Sequence, residues 1–442
     1  MAYARERNEA LVFQRQLHNW TQEHLCEEFY LKAYELGMNL PISPREVRRW
    51  ESGEIRTPRP DYRRVLEALF GIPIQQLGFH LPVPANLPGV EQPWTQNGLA
   101  DASVEVARRA PLDRRNFVVL TGGTLSSSVL ASMREPEPFV AALKGGRVTT
   151  SLVKTIEKRT DTLRHLDAES GGGYLLAAVA ADLQLAAELI KNSSYTGAVG
   201  RRLYVAMAEL AALAGWVYFD VGRHAAAQQY YLVGLRAAHA ARDPALGSYI
   251  LADMSYQASL AGQPDDGINL AHAALSSAKQ SRFPPVHALA CGRLALAHGR
   301  AGDSKACAGM ISQALNAPAK ASGPKWSFWI TQPAMTDLVG TALLATGDYV
   351  NAIDHLSCGR GPHGKSIALD RAFYLSQLAI AHVRQRNIEQ ACAVGTQALG
   401  FLPHVNSPRI ISEIRGLHRE LTRYQDTQPV REFANQAYEK LA

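Results

Sequence analysis

Five turn residues at nearly even intervals constrain this chain more than any other feature. Gly222, Gly262, Gly302, Gly347 and Arg386 (followed by Asn387) stand 40, 40, 45 and 39 residues apart. Seven residues before each turn is a small residue: Gly215, Ser255, Ala295, Gly340 and Ala379. Five after each is another: Ala227, Gly267, Cys307, Ala352 and Ala391. Thirteen after, four of the five are leucine (Leu235, Leu275, Leu315, Leu399), and the fourth unit has Arg360 instead. Small residues at matched offsets around a turn let two antiparallel helices approach closely. The leucine then fills the groove to the next pair. This is the logic of an array of helical hairpins. Its period exceeds the ~34 residues of a tetratricopeptide repeat, so the units are called TPR-like.

The pair 152–169 and 173–192, around Gly171-Gly172-Gly173, starts the array, and 407–424 with 428–441 caps it. Alanine is abundant and β-branched runs are few, which favours helix throughout. The expected fold class is therefore all-α. At 442 residues there is room for more than one domain. The apolar share of 47% and charged share of 19% are ordinary for a globular chain.

The N-terminal part is organised around Ser43 to Gly53. Ser43 is a helix cap, Pro44 suits the first helical position, and Glu46 is placed for a capping box. Gly53 stops the helix in a left-handed turn. Arg45, Arg48 and Arg49 fall on one side, with Val47 and Trp50 on the core side. A short helix with arginines along one face is what a DNA major groove accepts. Upstream, residues 6–19 read as a first helix with Leu11, Val12, Arg15 and Leu17 towards the core. Thr21 caps a second, whose stripe is Leu25, Cys26, Phe29, Ala33 and Leu36, ending at Gly37. After Pro58 and Pro60 a fourth helix presents Val65, Leu66, Leu69 and Phe70, and Gly71-Ile72-Pro73 breaks it. Residues 1–80 hold 11 Lys+Arg and 11 Asp+Glu, so this domain carries no net charge although the whole chain is +6. The segment is polarised: seven arginines lie from Arg45 to Arg64, and Glu23, Glu27, Glu28 and Glu35 lie upstream.

Three phrases carry a family resemblance: Trp20-Thr21-Gln22-Glu23-x-Leu25, Val47-x-x-Trp50-Glu51-x-Gly53, and Pro60-x-Tyr62-Arg63-x-x-Leu66-x-x-Leu69-Phe70-Gly71. Together they resemble the XRE family of helix-turn-helix regulators, in particular its actinobacterial members. This chain has more residues between Thr21 and Trp50 than that family usually has, so its second helix or the following turn is longer. The stretch from Glu209 to Arg223 resembles the C-terminal helical domains joined to such modules. The arrangement also resembles the peptide-sensing RRNPP regulators of Gram-positive bacteria. The resemblance implies a DNA-binding domain over 1–80, a Pro-rich linker over 81–112 (Pro82, Pro84, Pro88, Pro93, Pro111), and a TPR-like sensing and dimerising domain over 113–442.

Candidate DNA contacts are Ser43, Arg45, Arg48, Arg49, Arg56 and Arg59. Guanidinium forks suit guanine edges and phosphates, and Ser43, Arg56 and Arg59 suit phosphates best. The bland alternative is a solvated basic face. Trp216, Tyr256, Trp326 and Trp329 are candidate ligand contacts on the array, with packing between repeats as the alternative. His287 with Cys291, and Cys358 with His363, are spaced like metal ligands but lack third and fourth partners. No H-E-x-x-H or G-x-S-x-G motif occurs, and neither Gly122-Gly123-Thr124 nor Gly171-Gly172-Gly173 has the ending of a phosphate loop. No enzyme, metal or cofactor is expected. Arg114-Arg115 before Phe117 to Leu120 looks like an export signal but lies far inside the chain. Five scattered cysteines and the lack of an ~18–20-residue apolar run point to a cytoplasmic chain off the membrane. The expected function is a homodimeric transcriptional regulator of double-stranded DNA with a peptide or small-molecule effector. The alternative is a TPR-like adaptor with a vestigial helix-turn-helix.

Overall fold

The helix caps read from the sequence close the helices of the N-terminal region. The computed structural model describes residues 7–18, 20–36, 38–55, 57–70, 74, 77–79, 98–99, 102–103, 106, 148, 150–192, 194–318, 323–359 and 368–441. The chain is all-α: eighteen α-helices and no strand occur among the described residues. It divides into two compact units, Met1–Asn86 and Leu87–Ala442.

In the first unit, α1 (Glu9–Leu17) is capped by Asn8, whose Oδ1 accepts from Leu11 N at 3.1 Å. Thr21 caps α2 (Gln22–Glu35), its hydroxyl accepting from His24 N at 3.2 Å. Ser43 caps α3 (Pro44–Glu51) through Glu46 N at 3.4 Å, and Gly53 follows with φ 72°. The fourth helix, α4, spans Pro60–Phe70. Leu11, Leu25, Phe29, Val47, Trp50, Val65 and Leu66 are fully buried together. The rings of Phe29 and Tyr62 lie 6.0 and 5.9 Å from Trp50, so the tryptophan is the hub of this core. Each such side chain contributes about 1.5–3 kcal/mol on burial.

Leu17 corrects the expected inward face of α1: it is 62% exposed, as is Phe13 at 61%. At 100° per residue, Arg15 falls close to Leu11, whereas Leu17 falls on the far side with Phe13. Gly37, Gly71-Ile72-Pro73 and Arg56 lie outside the described residues.

In the second unit, α5 (Thr150–Ser170) pairs with α6 (Leu176–Asn192), α7 (Gly197–Asp220) with α8 (His224–Ala241), and α9 (Pro244–Leu260) with α10 (Pro264–Ser281). Next come α11 (Pro284–Arg300) with α12 (Ser304–Ala314), α13 (Gln332–Thr346) with α14 (Tyr349–Cys358), and α15 (Ala368–Arg384) with α16 (Ile388–Leu399). The last pair is α17 (Pro408–Leu421) and α18 (Gln428–Leu441). All five turn residues take positive φ, from 65° at Arg386 to 86° at Gly347. The small residues act as read: a Cβ on Gly215 would meet the Tyr231 ring at 2.5 Å, and one on Gly340 would meet Leu356 at 2.7 Å. Ser255 instead spans its pair, donating to the Gly267 carbonyl at 2.7 Å. Leu235 and Leu399 are buried, Leu275 and Leu315 half-buried; Arg360 lies outside the described residues. By length and hydropathy α7 is able to cross a membrane, but 16 of its 24 residues are buried in this unit's core.

The expected linker lies mostly outside the described residues. Within it, Leu99, Ala102 and Val106 are buried in the core of the second unit, alongside Val153 and Ile156. The described apolar residues of the linker segment thus pack as core.

The first and last pairs of this unit meet. Asn406 N donates to Ser170 O at 2.8 Å, and Gly173 N donates back to Asn406 O at 3.3 Å. A Cβ on Gly171 would stand 2.8 Å from the Asn406 carbonyl, and one on Gly173 2.6 Å from its side chain. Gly171 and Gly173 are therefore a contact seam between segments more than 230 residues apart in sequence, and Gly172 packs on Val217 of α7. Helix α5 also packs on α15.

Candidate functional site

The meeting of the two ends leaves a cavity of about 820 Å³, its mouth included, on the inner side of the second unit. Its helical walls come mainly from the first helices of the pairs: Arg164 and Asp167 from α5, Glu209 and Trp216 from α7, Tyr249, Asp253 and Tyr256 from α9, and Arg293 from α11. Asp370 and Phe373 of α15 and Arg409 of α17 close it, with Phe328 and Trp329 from the segment before α13.

The repeat places several of these residues. Thirteen, nine and six residues before the turns stand Glu209, Leu213 and Trp216, then Tyr249, Asp253 and Tyr256. The same offsets give Arg293 (nine before Gly302) and Phe373 (thirteen before Arg386). Spacings of four and three residues put them on one helix face. Of the four ligand contacts expected from sequence, Trp216, Tyr256 and Trp329 line the cavity. Trp326 does not: it is 2% exposed and packs behind the wall, its ring 4.9 Å from Tyr249. Glu209, Asp253, Arg293 and Phe373 were not among the ligand candidates read from sequence, although their offsets repeat with the turns.

Aromatic rings and ion pairs alternate around the cavity. Trp216 and Tyr256 stack with centroids 6.0 Å apart and planes 15° apart. The Arg293 guanidinium sits 3.9 Å over Tyr256 and pairs with Asp253 at 3.4 Å. Arg409 pairs with Asp220 at 3.0 Å and lies over Phe373 at 5.0 Å and Trp216 at 5.4 Å. Ser407 donates to the same Asp220 at 2.8 Å while capping α17. Arg164 pairs with Glu209 at 2.9 Å. Burial pushes the Asp253 carboxyl up to about 6, against the pull of Arg293 and a hydrogen bond from Tyr249. Asp167 is held well above the usual carboxylate range, first by burial and then by nearby Asp220; Arg409 opposes this.

In the first unit, the exposed edge of α3 carries Arg45 and Arg48, with Ser43 at its start. Arg48 Nε donates to the Pro44 carbonyl at 3.2 Å, which lays its side chain along the helix. Arg49 is less available than expected, since its Nε is 2.7 Å from Glu54 Oε1. Arg59 is exposed before α4, and Arg56 lies outside the described residues. The helix is braced from behind. Glu51 is 7% exposed and accepts from Arg15 Nε at 2.6 Å and Gln22 Nε2 at 2.7 Å. Arg15 also donates to the Trp20 carbonyl at 2.7 Å, and Asn8 N to the Glu51 carbonyl at 2.8 Å. Sequence reasoning missed this clamp; its signal was Arg15 on the inward face of an otherwise apolar stripe.

His287 and Cys291 do lie together, Nδ1 to Sγ 3.8 Å, with Gln313 Oε1 3.9 Å from the same sulfur. Burial pushes the Cys291 thiol up to about 11, so it is a poor thiolate donor. His363, expected beside Cys358, lies outside the described residues. No group of three or more His, Cys, Asp or Glu suited to a metal occurs among the described residues. No known protein-family model matches this chain, and no curated protein matches it.

Proposed function

We propose that this chain is a sequence-specific DNA-binding transcriptional regulator, acting as a homodimer. In this reading the first unit is a helix-turn-helix of the XRE type, and the second a TPR-like array that dimerises and senses a signal. One observation carries the proposal. A short, capped helix exposes Arg45 and Arg48 while Val47, Trp50 and the Arg15–Glu51–Gln22 clamp fix it from behind. Groove reading needs such a rigid helix with guanidiniums on its free edge. Selection of fragments from a genomic library by the full chain tests it. Two half-sites about one helical turn, ~34 Å, apart are expected. Recovery of no preferred sequence opposes the reading.

A second reading has its own support. Phe13, Leu17, Leu31 and Tyr34 of the first unit are each more than half exposed. With zero net charge over residues 1–80, such a surface suits a protein partner, and the chain would be an adaptor. The same selection separates the two.

A further inference from the structure

Burying a charge is costly unless an opposite charge or a proton compensates it. Each guanidinium at the cavity has its own carboxylate: Arg164 with Glu209, Arg293 with Asp253, Arg409 with Asp220. Asp167 also lines the cavity, outside these three pairs. It is 5% exposed, and no cation lies within salt-bridge distance among the described residues. Trp216 donates one hydrogen bond to its carboxylate, and Oδ1 has no hydrogen-bond partner. Asp220 and Asp370 add negative potential from α7 and α15, and Arg409 of α17 offsets part of it. Beside it stand the rings of Trp216 and Phe373.

We infer that the inner cavity of the second unit is a receptor for a small organic cation, an amine with an aromatic or apolar body, whose ammonium group pairs with Asp167. The body lies against the rings, whose faces favour cations and apolar groups alike. The inference rests on the sensing role given above to the second unit, and names the class of signal. Burial and the acidic neighbours disfavour the charged form of Asp167, so an ammonium group beside it supplies the compensation the side chain lacks. Pairing with the ammonium stabilises the carboxylate and favours loss of a proton from it.

The test is calorimetry on the full chain without DNA at pH 7, using 2-phenylethylamine, 2-phenylethanol and 3-phenylpropionate. The amine is expected to bind about tenfold or more tightly than the alcohol, the worth of one compensated charge. Asp167→Asn is expected to erase that preference. Repeating the wild-type titration in two buffers of different ionisation heat is expected to show release of a proton with the amine alone. This second readout needs no variant to fold. Equal binding of amine and alcohol, tighter binding of the carboxylate, or no amine binding up to millimolar concentration would each overturn the inference. A chain that binds the amine but no DNA retires the regulator reading and leaves this one standing.

Discussion

Arg15 Nε stands 2.6 Å from Glu51 Oε1, joining the last turn of α1 to the last residue of α3. Their side chains are only 14% and 9% exposed, so water screens the pair little. The bond fixes the C-terminal end of the helix that presents Arg45 and Arg48. Glu51→Ala leaves Arg15 and Gln22 facing an apolar gap. It is expected to cost about 3 kcal/mol in the first unit. Hydrogen exchange of the full chain checks this: peptides covering 44–51 lose protection, and those of α9 and α11 do not. Unchanged protection of α3 would show that the clamp is idle.

Close helix contacts in the second unit make a paired prediction. A Cβ on Gly299 would stand 2.7 Å from the backbone oxygen of Ala342 on α13, which has no flexible end to move away. Gly299→Ala should therefore destabilise by about 1–3 kcal/mol through overpacking. Gly247 is also inside a helix, but its nearest foreign atom would be Ser277 Oγ at 3.5 Å. Gly247→Ala should stabilise by ~0.5–1 kcal/mol through helix propensity. Urea unfolding of both variants decides the matter. The same sign for both would contradict the contact geometry.

Asp253 gives a pH signature. Burial raises its carboxyl from an ordinary 3.8 to about 6 in the folded chain. The folded state thus binds more protons than the unfolded state between these values. The stability contribution of this group is full below the lower value and is lost as pH rises through about 6. The melting temperature of the wild type minus that of Asp253→Asn should fall over this window and level off above it. A difference that is flat with pH would remove the perturbed carboxyl from the account.

The local parts of the molecule were legible in its residues. Turn positions such as Gly262 and Gly302, the cap at Ser43, and the cavity rings Trp216 and Tyr256 depend on a few neighbours or on a repeated offset. Long-range closure was not. Nothing near Gly171 announces Asn406, and Asp220 gives no sign of Ser407 and Arg409, because those contacts depend on rotation accumulated over all the intervening pairs. Trp326 shows the same limit: an aromatic residue at a helix start reads alike whether it faces a cavity or the wall behind it. Leu17 was a phase error, and Arg49 was overread because Glu54, five residues on, takes its guanidinium.

The salt dependence of DNA binding tests the central claim most directly. The full chain is titrated with a fragment recovered from the genomic selection over a range of salt, followed by fluorescence anisotropy. Each phosphate neutralised contributes a slope of about −0.9 to log Kobs against log salt. A dimer docking two copies of α3 predicts a slope of about −4 or steeper, made shallower by Arg48→Ala with Arg49→Ala together with a loss of sequence preference. Binding that is absent, or that does not weaken with salt, would contradict it.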